Sequence, residues 1–346
     1  MLLNISNKRK ITYSITLIII LTLPQSLSIS QDVTYYVSPN GNDNNDGLSM
    51  FTPFKTIMKA LKLANPGTKI ILLDGIYRED IDSVRSGTVD KPIIIEGSRN
   101  AILKGKSDNK IIELRHDYII LDGFTIDGHS KKNGVDYYKS KLIWIEANNI
   151  KIVNMMLKNS NDECIRLKFA SYNELSYNTI TNCGVNDFKL NGGGKNGEHI
   201  YIGTAREQLK TDALDTSSNN WVHHNVFVSG GECVDIKEGS TNNIVEYNTC
   251  SKMLDADTGA INIRGNNNII RYNEINDSKG AGIRVGGDTT NDGLYNEIYE
   301  NKIYNNKVGI KLMSHPQSMV CGNIIRNVEK VVSGTYKDNY DPIMPC

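Results

Sequence analysis

A five-residue pattern recurs along the second half of the chain and constrains its fold more than any other feature. It occurs at Cys164–Lys168, His199–Gly203, Cys233–Lys237, Ala260–Arg264, Gly282–Gly286 and Gly309–Met313. Each copy holds two aliphatic residues two positions apart, and that alternation buries one face of a strand while leaving the other outside. Strands this short are stable only when they stack, so each copy needs its neighbours.

A second column accompanies the first. Asn154, Asn178, Asn225, Asn248, Asn273, Asn301 and Asn323 each stand two residues before an apolar position, and Asp122 fills the same place earlier. Asparagine tolerates the left-handed backbone that a sharp turn needs. Stacked amides also bond to one another in a ladder. A period of ~22–25 residues fits a β-helix or a leucine-rich repeat. The Leu-x-x-Leu-x-Leu framework is missing, and a propeller blade would take about 40 residues. The expected fold is therefore all-β, a single-stranded right-handed parallel β-helix. Insertions over 128–141, 184–197 and 204–219 interrupt the period, and in solenoids such insertions emerge as loops, commonly on the binding face.

The N-terminal third differs. Phe54, Ile57, Ala60, Leu61 and Ala64 follow helical spacing, which predicts a short capping helix over the open first coil within a cap of residues 31–66. The Gly41–Gly47 loop is rich in Asn and Asp, a composition typical of a surface turn and also able to hold calcium. Residues 1–30 read as a signal peptide, with Lys8, Arg9 and Lys10 before the apolar run Ile11–Leu23 and small residues at Ser28 and Ser30. The remainder, 31–346, is then one secreted, extracellular domain without stable membrane insertion, expected to be a monomer.

With 39 basic and 39 acidic residues in 346, the chain lacks the basic excess of a nucleic-acid binder. Six cysteines in an exported chain allow disulfides. Cys164 and Cys183 lie near the two ends of one coil and are expected to bridge, and Cys321 with Cys346 would pin the tail. Cys250 occupies an apolar column and reads as a buried free thiol, while Cys233 has no evident partner. No Cys/His spacing points to zinc.

Pro66–Tyr77, Lys91–Gly97 and Tyr118–Phe124 resemble the opening coils of pectate-lyase-like β-helix proteins. The stretch 194–275, with Gly197–Gly203, Gly231–Gly239 and Gly259–Gly265, resembles the alginate lyase and chondroitinase B family of polysaccharide lyases. In that family a lysine base and an arginine end equivalent strands of adjacent coils, and the resemblance puts them on Lys237 and Arg264. It also implies a calcium ion, with Glu232 as carboxylate ligand and Asn196 as amide ligand. The family's other acidic ligand falls on Gly230, which has no side chain to offer.

The residues themselves support an acidic polysaccharide as partner. Lys237 and Arg264 each follow the second buried aliphatic of their strand, so they are expected to project side by side from coils ~4.8 Å apart. Tyr201, Asp235, Asn262 and Arg284 form an outward row one position earlier, with His199 at its edge. β-Elimination on a uronate must acidify and remove the C5 proton and stabilise the leaving oxygen. A lysine depressed by a neighbouring cation suits proton removal, Arg264 suits the carboxylate, and Tyr201 or His199 suits the leaving group. Other readings are a non-catalytic glycan-binding protein, a uronate epimerase, and a glycoside hydrolase, ranked last because Asp235 has no acidic neighbour in the rows of Tyr201 and Asn262.

Overall fold

Alternating aliphatic residues settle the architecture. In the strand Val234–Ile236, Val234 and Ile236 point inward, and their register partners Ile261 and Ile263 do the same on the next rung. Repeated rung after rung, this fills the interior with a continuous column of Ile, Leu, Val and Phe. The computed structural model describes residues 32–190 and 192–346, so the signal-peptide reading of residues 1–30 falls outside the described residues.

Among the described residues three parallel sheets run the length of a right-handed β-helix, with eleven, ten and ten strands. The first sheet runs from Thr34–Val37 to Met319–Cys321, the second from Gly75–Tyr77 to Ile324–Arg326, and the third from Ile81–Asp82 to Lys330–Ser333. The expected helix is Ile57–Leu63, begun by Thr56, whose hydroxyl accepts from the Lys59 amide. Ile57, Ala60 and Leu61 bury its inner face. In the preceding loop, Asp43 accepts from the Lys55 and Thr56 amides and the Thr56 hydroxyl. Its carboxylate is thus used by the turn.

Two asparagine ladders line the corners of the coil. In the first, Asn225 Nδ2 donates to Asn248 Oδ1 at 3.0 Å, and Asn248 Nδ2 to Asn273 Oδ1 at 3.0 Å. The second, Asn173–Asn220–Asn243–Asn268–Asn296, was not foreseen. Two expectations need correcting. Asn154 and Asp122 lie outside the ladder and bond to each other on the surface, because Met155 occupies the ladder position and its amide donates to Asn178. The left-handed residue is also not the ladder asparagine but the one before it: Tyr177, His224, Tyr247, Tyr272 and Glu300.

Cys164–Cys183 and Cys321–Cys346 are disulfides as expected. Cys250 is not a free thiol: it pairs with Cys233. The two lie on different sheets of one coil, so their side chains meet across the interior, a proximity that strand-by-strand spacing hides.

All three insertions border the third sheet. The first contains a hairpin, His129–Lys132 with Val135–Tyr138, and the second contains the short helix Val185–Lys189. Both lead into third-sheet strands. The third insertion leaves that sheet after Ile200–Ile202 and contains the turn Arg206–Gln208.

Candidate active-site cleft

The outer face of the third sheet carries one side chain per rung in strict register: Trp144, Arg166, Tyr201, Asp235, Asn262, Arg284 and Lys311. The second and third insertions rise beside it and enclose a cleft of about 270 Å³. Asn196, Tyr201, Glu232, Asp235, Lys237, Asn262 and Arg264 line this cleft. Seven of the nine residues singled out for catalysis, substrate or metal therefore meet in one place.

Hydrogen bonds tie the rungs together. Arg284 Nη1 donates to Asn262 Oδ1 at 3.1 Å, and Asn262 Nδ2 donates to Asp235 Oδ1 at 3.2 Å. Lys237 Nζ lies 2.6 Å from Asp235 Oδ2 and 4.4 Å from the centre of the Tyr201 ring. The Tyr201 ring also carries the Arg166 guanidinium at 4.0 Å. Its phenol oxygen is buried, with no hydrogen-bond partner among the described residues.

The two cations differ from expectation. Ile236 and Ile263 are register partners, so Lys237 and Arg264 do end adjacent rungs. They do not project into solvent, since Lys237 is 7% exposed, and each head has its own carboxylates. Arg264 Nε lies 2.5 Å from Glu238 Oε1, and its Nη2 bonds Asp288. A cation-depressed lysine is thereby overturned. Burial alone would lower the Lys237 pKa, but Asp235, with Tyr201, Glu198 and Glu232, outweighs it and holds the ammonium above its ordinary range.

His199 is a second correction. It is fully buried at the strand entrance, packed on Phe227, with Nδ1 donating to the Glu232 carbonyl at 2.8 Å. Burial pushes its pKa down to about 4, so it sits neutral inside the coil and does not face substrate. Alternation placed it outside, but the chain bends there. Arg284 stays on the outer row beside Asn262 without lining the cleft, and burial followed by the nearby Arg264 lowers its pKa.

Glu198 and Arg166 were missed. Glu198 lies in the cleft with its pKa raised to about 7 by burial and then by Glu163. Glu232 is also raised, by burial and then by Asp235 and Glu198. Its Oε2 is buried beside Thr258 without a well-formed hydrogen bond. Aligning the repeated strands would have put Arg166 one rung from Tyr201. Glu198 could not be found that way, because it precedes its strand.

Comparison with known proteins agrees with this architecture. Residues 35–196 match the family model described as Pel9A-like, right handed beta helix region, and residues 213–340 match that of the periplasmic copper-binding protein NosD. An alginate lyase from Paenibacillus sp. str. FPU-7 superposes with a TM-score of 0.62 at 22% identity, covering 79% of this chain and 95% of that one. The pectate lyase Pel9A gives 0.59 at 13% identity over 87% of this chain and 79% of its own. A GH136 lacto-N-biosidase from Eubacterium ramulus gives 0.60 at 12% identity over 89% of this chain and 66% of its own. Among curated proteins, the uncharacterized protein YwoF of Bacillus subtilis (strain 168) is 36% identical over 101 residues, 26% of this chain and 21% of that protein's length.

Proposed function

Taking the chain as a right-handed parallel β-helix of the pectate-lyase-like superfamily, we propose that it is an exported polysaccharide lyase that cleaves a uronate-containing polymer by β-elimination. The observation that carries this reading is the Lys237 ammonium poised between Asp235 and the face of Tyr201 in a cleft built by the insertions. Lys237, in its neutral form, removes the C5 proton. The C5–H electrons form the C4–C5 double bond, the C4–O bond breaks, and Tyr201 gives its phenolic proton to the leaving oxygen. Return of the proton from Lys237 to Tyr201 resets both groups. Asp235 is a positioning residue for Lys237, and Asn262 with Arg284 fixes Asp235. Arg264 receives the sugar carboxylate, whose neutralisation acidifies C5.

Calcium belongs to the proposal through Glu232 and Asn196. The unsatisfied Glu232 oxygen and the raised Glu198 and Glu232 are what a cation would relieve. Among the described residues no three His, Cys, Asp or Glu side chains already converge on one point, so water and substrate oxygens would complete the shell. When bound, calcium supplies positive charge beside the sugar carboxylate. Export is supported by three disulfides among the described residues, by the leader-like first 30 residues, and by the match to a periplasmic protein. No helix among the described residues is long and apolar enough to cross a membrane.

One observation favours a second reading. Glu198 and Glu232 stand beside Asp235, so the acidic neighbours that a glycoside hydrolase needs are present after all, supplied from strand entrances. The purified protein, assayed on alginate, pectate and glycosaminoglycans, separates the two. The lyase creates near-ultraviolet absorbance from the new double bond, whereas a hydrolase releases reducing ends without it. Lys237→Ala should lower the ultraviolet signal at least ~1,000-fold, and full activity in that variant would refute the mechanism.

A further inference from the structure

The Tyr201–Lys237 arrangement occurs twice. The strand Ile165–Leu167 is followed directly by Lys168 just as Val234–Ile236 is followed by Lys237. One rung earlier, in register with the residue two before each lysine, stands an aromatic ring: Trp144 opposite Arg166, and Tyr201 opposite Asp235. In both cases the ammonium reaches back diagonally over that ring, 5.7 Å from Trp144 and 4.4 Å from Tyr201. The two constellations are separated by two rungs of the same sheet, or ~10 Å at the usual strand spacing.

Their differences assign different tasks. Indole has no proton to exchange at ordinary pH, and the position held by Asp235 in one copy is held by Arg166 in the other. Lys168 is a third exposed and only loosely paired, 3.6 Å from Glu146, whereas Lys237 is clamped by Asp235. The Trp144 ring also carries the Lys110 ammonium at 4.6 Å and the Arg166 guanidinium at 5.5 Å, so the first copy keeps an aromatic ring bordered by cations, of which Lys168 is the loosely paired one, but lacks the proton-transfer pair. A separate hollow of about 300 Å³ opens over Trp144, Arg166 and Lys168, and Asn196 and Gln208 border both it and the catalytic cleft.

We propose that Trp144 and Lys168 form a non-catalytic subsite for a second uronate of the same polymer. The apolar C–H face of the sugar lies on the indole, and its carboxylate meets the Lys168 ammonium. The inference rests on the lyase reading and deepens it. The substrate chain runs along the outer row of the third sheet, and residues two rungs from the reaction hold a distant part of it.

Trp144 is one of only two tryptophans, and Trp221 lies on the first sheet. In Trp221→Phe protein, intrinsic emission therefore reports Trp144 alone. Titration with tetrameric uronates should change that emission saturably, neutral tetrasaccharides should not, and Lys168→Gln should weaken the response about tenfold. On polymer, Lys168→Gln and Trp144→Leu should each raise KM about tenfold with kcat within about twofold, because both remove binding shared by ground and transition states. Lys168 is partly exposed, so its variant remains informative if Trp144→Leu fails to fold. Uronate cleaved with unchanged Trp144 emission and wild-type KM in the lysine variant would overturn the subsite and leave the lyase reading standing. A parent protein that neither binds nor cleaves any uronate would overturn both.

Discussion

At the residue scale, what governs the cleft is which charges are paired. Asp235 and the Tyr201 ring keep Lys237 charged at rest, so the neutral base is a minor form that grows as pH rises. Lyase activity is expected to climb through the alkaline range, and a pH–rate profile falling from neutrality upward would contradict Lys237 as base. Glu232 offers a check on calcium that does not depend on activity: millimolar calcium should raise the melting temperature of the parent protein relative to chelator, and Glu232→Gln should abolish the difference. His199 has a different consequence. It is neutral in the folded chain, where burial holds its pKa at about 4, below the ordinary histidine value of about 6.5, so the unfolded chain binds its proton first as pH falls. The stability this group contributes is complete above pH 6.5 and is lost toward pH 4, by on the order of 3 kcal/mol. Denaturant titrations at stepped pH should show His199→Gln lacking that acid limb. The outward row was legible in the sequence because alternation has period two; His199 and Glu198 were not, because parity stops predicting direction where the chain bends into its strand.

At the scale of single elements, the asparagine ladders are the most informative. Each amide is buried and makes several bonds. Asn248 Oδ1 accepts from the Asn225 backbone and side chain, while Asn248 Nδ2 donates to Asn273 and to the Val222 and Glu246 carbonyls. Asn248→Ala removes these at once and leaves the buried Asn225 backbone N–H without its acceptor, while Asn225 Nδ2 keeps only the Leu175 and His223 carbonyls. A loss of about 2–4 kcal/mol is expected, read as a lower urea midpoint at unchanged slope. Asn154→Gly, on the surface and compatible with that residue's left-handed backbone, should cost under about 0.5 kcal/mol. The contrast tests the corrected register directly, since column spacing alone had put Asn154 inside the ladder. The repeat and its period were readable because every coil meets the same constraint. The one-residue offset at Asn154 was not, since Met155 keeps the rung while breaking the amide pattern. The second ladder left a trace in the recurring Asn219–Asn220, Asn242–Asn243 and Asn267–Asn268 pairs. In each, the first residue takes the left-handed turn and the second the buried rung.

At the scale of the whole molecule, a stack of parallel rungs has two ends, and each presents unpaired backbone groups to another copy. At the first end the helix Ile57–Leu63 packs Ile57, Ala60 and Leu61 against the interior, with Phe54 beside them. At the other end the segment after Ser333 folds back. Gly322 and Asn323 donate from their amides to Met344 and Pro342 carbonyls, and Cys321–Cys346 holds the tail in place. With both ends covered, a monomer is the expected state at micromolar concentration. Opening one end should change association before it changes chemistry, because repeat arrays transmit stability only between neighbours and the cleft lies several rungs from the helix. Leu61→Glu puts a charge into the packed face of the helix, so it should detach the cap and expose the first rungs. Light scattering coupled to size exclusion should then show dimers and larger species for Leu61→Glu and a single monomer peak for the parent. Circular dichroism should remain β-rich in both. Monomeric Leu61→Glu with native melting would mean that the helix does not guard the end of the solenoid.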